Sequence, residues 1–159
     1  MQELPKPWFD LEGYKRARLL EAKYEAELAL KFLETGLYRN AAGKAFQAVK
    51  ALLAALAVDH RDRLAQKYMG TVKLRGGKTL DRVDWLIAVM PTNHMLGLSA
   101  MISDDIHYLT AIALYLHQYQ YNGPDREGLL SQYRNDDEAK EDILLVVNGV
   151  NKILSKIGI

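Results

Sequence analysis

The chain has 159 residues, no cysteine and a formal net charge of only +1. A domain of this length buries about 70% of its unfolded surface without any covalent staple. The missing thiols exclude a disulfide scaffold, a Cys-ligated zinc site and thiol chemistry together, and a cytoplasmic location is the expectation. The small net charge hides an uneven layout. Arg63, Lys67, Lys73, Arg75 and Lys78 lie in a stretch without an acid, whereas Asp136, Asp137, Glu138, Glu141 and Asp142 cluster near the end.

The opening MQELPKPWFDLEG carries prolines and acids where a secretory signal needs a basic start and an apolar run. No stretch approaches the roughly 20 apolar residues of a membrane span, so no membrane contact is expected. Pro5 and Pro7 keep the first residues extended, and Trp8 and Phe9 are expected to fold back as an apolar anchor. A long helix starts at about Asp10, with Leu11, Leu19, Ala22, Ala26, Ala29, Leu30 and Leu33 as its inner stripe. Gly36 ends it, and the short connection to Tyr38 demands an antiparallel hairpin.

The second helix, Tyr38 to Val58, organises the rest. Tyr38, Ala42, Ala45, Phe46, Val49, Leu52, Leu53 and Leu56 recur at three- and four-residue spacing, and Gly43, Ala51, Ala54 and Ala57 leave room for another close neighbour. This helix is therefore expected at the centre, touched on most sides. The pattern then lapses into a possible helical piece around Arg63 to Tyr68 and a loop whose Gly76-Gly77 pair resists regular structure. A short helix follows, capped by Thr79 or Asp81, with Leu80, Val83, Leu86, Ile87 and Met90 inward until Pro91 stops it.

Pro91 to Gly97 is expected as a turn. A further main helix runs from about Leu98 or Ser103 to Gln120, with Ile102, Ile106, Leu109, Ala113 and Leu116 inward and Tyr108, Tyr115 and Tyr119 toward its flank. Asn122-Gly123-Pro124-Asp125 ends it. The last helix starts near Asn135 or Asp136, where acids suit the helix dipole, and Ala139, Ile143, Val146, Val147, Val150, Ile153 and Leu154 form its stripe. No alternating strand is visible. The expected fold is all-α, one domain over residues 1–159, an up-and-down bundle of four main helices plus one short helix.

AELALKFLETGLYRNAAGKAFQAVKALLAALA resembles the opening hairpin of the HEPN superfamily (higher eukaryote and prokaryote nucleotide-binding). In that hairpin a glycine turn is followed by an alanine-rich helix with a central aromatic and paired leucines near its end. LHQYQYNGPDREGLLSQYRNDDEAKEDI resembles a later HEPN segment in which tyrosines close a helix, a Pro-Asp turn follows, and a tyrosine and Glu-Ala open the last helix. The leucine-histidine pair there is similar to the archaeal PaREP-type branch. The resemblance implies a HEPN-like bundle and a nucleotide, RNA or a partner such as a nucleotidyltransferase as ligand. It also places Asp125 of the Pro-Asp turn and Tyr133 among the candidate ligand-binding residues. The alanine and glycine faces of the central helix and the exposed Tyr108, Tyr115 and Tyr119 predict a homodimer.

Many HEPN proteins cleave RNA without metal, and the resemblance ties that chemistry to an arginine followed four to six residues later by a histidine. The motif is absent: none of His60, His94, His107 and His117 has an arginine four to seven residues before it. The simplest expectation is a non-cleaving member with no cofactor. A degenerate RNase with His117, Tyr121 and Arg126 as its set is the alternative.

His117 projects near the edge of the apolar stripe on the side of Tyr121. Either it is a packed histidine bonded to backbone or a tyrosine, or its ring donors contact a phosphate or base edge. Asp104 and His107, one turn apart, form half of the carboxylate–histidine pairing that a bundle metal site needs, so no metal site is expected. KLRGGK offers Lys73, Arg75 and Lys78 with backbone N–H groups to phosphates, but the earlier glycine of a Walker loop is missing. The segment is a solvated loop or a nucleic-acid contact.

Overall fold

The computed structural model describes residues 3–159. Asp10 caps the first helix by accepting from Gly13 N at 2.9 Å, and α1 (Leu11–Glu34) runs until Gly36 turns the chain at φ 77°. Tyr14, Leu19, Ala22, Ala26, Ala29 and Leu33 are its buried residues; Leu11 and Leu30, expected inward, are only half-buried. Then α2 (Tyr38–Asp59) packs back against α1, and Lys15 Nζ reaches Asp59 Oδ1 at 2.7 Å across the far end of the hairpin.

The centre of the molecule is α2, as its all-round apolar pattern demands: 14 of its 22 residues are buried, beneath α1 and the two later long helices α6 (Asp104–Asn122) and α7 (Asp136–Ile157). By length and mean hydropathy (1.4 over its most apolar window) this helix is apolar enough to cross a membrane, contrary to the expectation that no stretch would be. Its neighbours account for that: 78% of the window is buried inside the bundle. Each fully buried Leu, Val or Phe on this stripe stabilises the fold by about 1.5–3 kcal/mol relative to exposure.

Between α2 and α6 the chain is more ordered than expected. It forms α3 (Arg61–Lys67), an antiparallel hairpin of β1 (Thr71–Lys73) and β2 (Thr79–Asp81), α4 (Arg82–Val89), a 3-10 turn at Thr92–His94 and α5 (Met95–Ala100). The short helices thus number three rather than one among the described residues. The strands were invisible as alternation because each has three residues and one inward side chain, Val72 or Leu80. Gly76 and Gly77, both at φ 86°, do not break structure here but supply the turn that joins the strands.

The segment expected as a turn up to Gly97 becomes α5 because Met95 and Leu98 both bury against the core. Ser103 then starts α6 by accepting from Ile106 N, and Asn135 starts α7 by accepting from Glu138 N at 2.9 Å. Ile106, Leu109, Ala113 and Leu116 of α6 and the α7 stripe lie inside as expected, except that Ile102 and Ile153 are half-buried. One flank assignment is corrected. Tyr119 is fully buried and donates to Asp136, because the α6–α7 loop folds back and seats Tyr133 against its ring at 5.7 Å.

Candidate functional site

The candidate residues separate into two groups at opposite ends of α2. Lys73, Arg75 and Lys78 are exposed on the hairpin, beside the start of α1, where Lys78 Nζ stands 4.5 Å from the Phe9 ring centroid and 5.9 Å from that of Trp8. Trp8 is half-buried there, while Phe9 stays 74% exposed, so the expected anchor is made by Trp8 and buried Pro7. His117, Tyr121, Asp125, Arg126 and Tyr133 belong to the end where α2 begins. Arg39 fixes that end by donating from Nε to Gln120 O at 3.0 Å and from Nη2 to Tyr121 O.

Within the second group the roles differ. Asp125 accepts from the backbone N–H groups of Leu130, Leu129 and Glu127 at 2.7, 2.9 and 3.1 Å, which shapes the loop and holds its carboxyl below the usual range. Tyr133 is buried and donates to Asp142 Oδ2 at 2.7 Å; burial first, and that carboxylate second, push its hydroxyl pKa up. Arg126 is exposed on the same loop.

His117 stacks on Phe46 with centroids 4.0 Å apart and stands edge-on to Tyr121 at 5.1 Å. Its Nδ1 is out of solvent without a hydrogen-bond partner. Burial lowers its pKa, Gln120 opposes the shift, and the nearby Lys50 charge adds to it. The neutral imidazole is therefore favoured.

Tyr121 borders a cleft of about 540 Å³ whose floor is α2 and whose walls are α1 and α6, whereas His117 opens on the outer side of α6 beside Leu96 and Tyr115. Gly43 is the floor at its closest point: a Cβ there would lie 2.5 Å from Gln120 Nε2, so the amide lies flat across the glycine. Gln120 Oε1 is shielded from solvent without a hydrogen bond of full geometry, and its amide lies close enough to His117 to favour that ring's charged form. On the α1 side Lys44 Nζ lies 3.1 Å from Glu25 Oε2, at ion-pair distance but off the hydrogen-bond direction. Phe32, Asn40, Gln47 and Tyr121 complete the lining. Gln47 also lines a narrower pocket of about 120 Å³ further along α2, with Arg18, Glu21, Lys50, Ala51, Ala54 and the end of α4.

Sequence reasoning missed Gln120, Lys44, Gln47 and Lys50, yet the signal was there. Asn40, Lys44, Gln47 and Lys50 recur at helical spacing along a helix that is otherwise apolar, and Gln120 stands four residues beyond Leu116 on the core stripe of α6. A polar line on a central helix must meet either water or a ligand. Of the small face of α2, Ala51, Ala54 and Ala57 are buried as expected for close packing, and Gly43 alone floors the cleft.

His107 Nδ1 is 2.9 Å from Ser99 Oγ, which ties α6 to α5. Among the described residues no three His, Asp or Glu side chains converge as metal ligands do. No match was found among curated proteins or among solved structures. The model of one family aligns with residues 17–144, from the first turns of α1 into α7 and thus across all the helices that build the cleft; by that match the chain belongs to the Archaeal PaREP1/PaREP8 family.

Proposed function

We propose that this protein is a non-catalytic, HEPN-like helical module that binds a nucleotide or an RNA segment in the cleft over α2. It acts as a homodimer beside a partner such as a nucleotidyltransferase. The observation that carries the binding reading is the cleft itself, a groove of nucleotide size lined by the amides of Asn40, Gln47 and Gln120 and by the rings of Phe32 and Tyr121. Amide side chains carry both donors and acceptors for the edge of a base. Tyr121, 66% exposed, supplies a face on which a base can stack. The likeness of α1 and α2 to the HEPN hairpin supports the class, and the absent arginine–histidine spacing supports the lack of cleavage.

Gly43→Ala tests the site with little risk to the fold. Alanine gains about 1 kcal/mol of helix propensity, while its methyl meets only the end of the Gln120 side chain and no backbone. The expected result is unchanged or raised stability with binding weakened at least tenfold, read by calorimetric titration with nucleotides. Equal affinity in the variant would remove the cleft as the site.

The degenerate RNase is favoured by one observation, a histidine biased to its neutral form next to Tyr121. Labelled RNA incubated with the protein in EDTA decides it: intact RNA is expected. Self-association is proposed for the outer face of α6, where Tyr108 and Tyr115 are 63% and 47% exposed and Leu96 of α5 is 43% exposed. Sedimentation equilibrium at micromolar concentration checks it, with a dimer that Tyr115→Glu dissociates as the expected outcome.

A further inference from the structure

We infer that the narrow pocket around Lys50 receives a terminal phosphate, so that the ligand of the cleft is a free nucleoside polyphosphate rather than an internal stretch of RNA. This rests on the binding reading above and narrows its ligand class. Three features carry it.

The first is adjacency. Gln47 lines both compartments, so the wide cleft and the narrow pocket are neighbours along α2 with that one side chain between them. From Gly43 to Lys50 the helix rises about 10 Å, the reach from a base to the end of its phosphate chain.

The second is size. The narrow pocket has about 120 Å³ against about 540 Å³ for the cleft. That contrast suits a phosphate group in the narrow part and the nucleoside in the wide one. Val89 and Met90 at the end of α4 wall it, and Met90 keeps φ 45° against the ordinary preference of a side chain with a Cβ. An RNA chain would have to continue where this wall stands.

The third is charge. Two cations, Arg18 and Lys50, face one carboxylate, Glu21. Arg18 is already committed: it donates from Nε to Tyr14 Oη at 3.1 Å, from Nη1 to Glu21, and from Nη2 to Ala88 O at 3.5 Å. Lys50 is half-buried and has no ion-pair partner among the described residues. With Glu21 paired to Arg18, Lys50 leaves the pocket one net positive charge, which favours an anion. Ala51 and Ala54 next to it have side chains too short to block a phosphate from the α2 surface.

The test is calorimetric titration of the full chain at low salt with the four nucleoside diphosphates, their parent nucleosides, and a single-stranded RNA lacking terminal phosphates. At least one diphosphate is expected to bind tenfold or more tighter than its nucleoside. Lys50→Met should bring that diphosphate down to the nucleoside's affinity and leave the nucleoside unchanged, while Lys50→Arg restores most of the difference. Equal affinities for diphosphate and nucleoside, or a Lys50→Met variant that loses nothing, would overturn the phosphate assignment and leave the cleft reading standing. RNA binding that matches the diphosphate and depends on Lys50 would overturn it in favour of an internal phosphodiester. If neither nucleosides nor diphosphates nor RNA bind, both assignments fall. Circular dichroism melts of each variant verify that the fold is intact, which a half-buried surface lysine permits.

Discussion

Phe46 supports the core and the site at once. Its ring is 1% exposed and forms the platform under His117, so truncation opens a cavity and unseats the imidazole. Phe46→Ala should lower stability by about 3–5 kcal/mol, and Leu52→Ala, fully buried but remote from the imidazole, by about 2–5 kcal/mol. Denaturant melts measure both, and only Phe46→Ala should also weaken ligand binding. His117 adds a pH dependence whose sign follows from its lowered pKa. The unfolded chain binds the proton first, near pH 6.5. Stability is therefore complete above that pH and falls as acid takes the medium down through the folded pKa. His117→Phe should flatten this decline below about pH 6.5 and leave neutral-pH stability equal or higher, since it removes a shielded ring nitrogen. At this scale much of the molecule was legible: Ala42, Ala45, Phe46, Val49, Leu52 and Leu53 of the α2 stripe are buried because spacing alone puts them there, while Tyr38 and Leu56 near its ends are half-buried. Tyr14 was not. Its ring is fully buried and its hydroxyl donates to Ile87 O at 2.6 Å, a partner 73 positions away that no local pattern contains.

Arg61 shows what binds the irregular middle of the chain to the bundle. From the first turn of α3 it donates to Asp84 through Nε at 2.7 Å and Nη2 at 2.9 Å, and Nη2 also reaches Asp81 at 3.2 Å at the end of β2. The Asp84 hydrogen bond leads in raising the arginine's pKa, against a desolvation that opposes it. A forked guanidinium on two acids thus pins α3, the hairpin and α4 together. Arg61→Ala leaves Asp84, which is buried, without its counter-charge. A loss of about 1.5–3 kcal/mol is expected, and Arg61→Lys should recover only part of it, because an ammonium cannot make the fork. Chemical denaturation reads the loss, and helical circular dichroism should change little. Long helices with caps and stripes could be placed from sequence; the hairpin could not. Its order comes from Arg61, from Arg82 N–H donating to Gly70 O at 2.9 Å, and from Lys78 over the aromatic rings, all set by tertiary position. The loop from Asp125 to Tyr133 is similar, being folded by one carboxylate on three amides.

Across the whole molecule the two candidate binding regions are separate. Phe46, beneath His117, lies about 20 Å of helix from Asp59, and the hairpin is displaced beyond that end, next to the start of α1. A small ligand in the cleft cannot touch Lys73, Arg75 and Lys78, so the two regions should respond independently. If the hairpin meets a polyanion, three phosphate contacts on single-stranded RNA give a slope of log K against log salt of about −2. Replacing all three cations by alanine should flatten that slope for RNA and leave nucleoside diphosphate affinity within about twofold. Helical circular dichroism should also persist, because these residues lie outside the helices. Lys78 alone adds a packing effect, since its ammonium covers Phe9 and Trp8; its removal should cost about 0.5–1 kcal/mol. The charge-layout reading survives only if RNA affinity depends on these cations while the cleft ligand ignores them. Parallel losses for both ligands in the triple variant would mean that the ends are coupled, with the hairpin folding toward the cleft when occupied, and a salt slope unchanged by the triple variant would return the hairpin to a solvated arm that binds nothing.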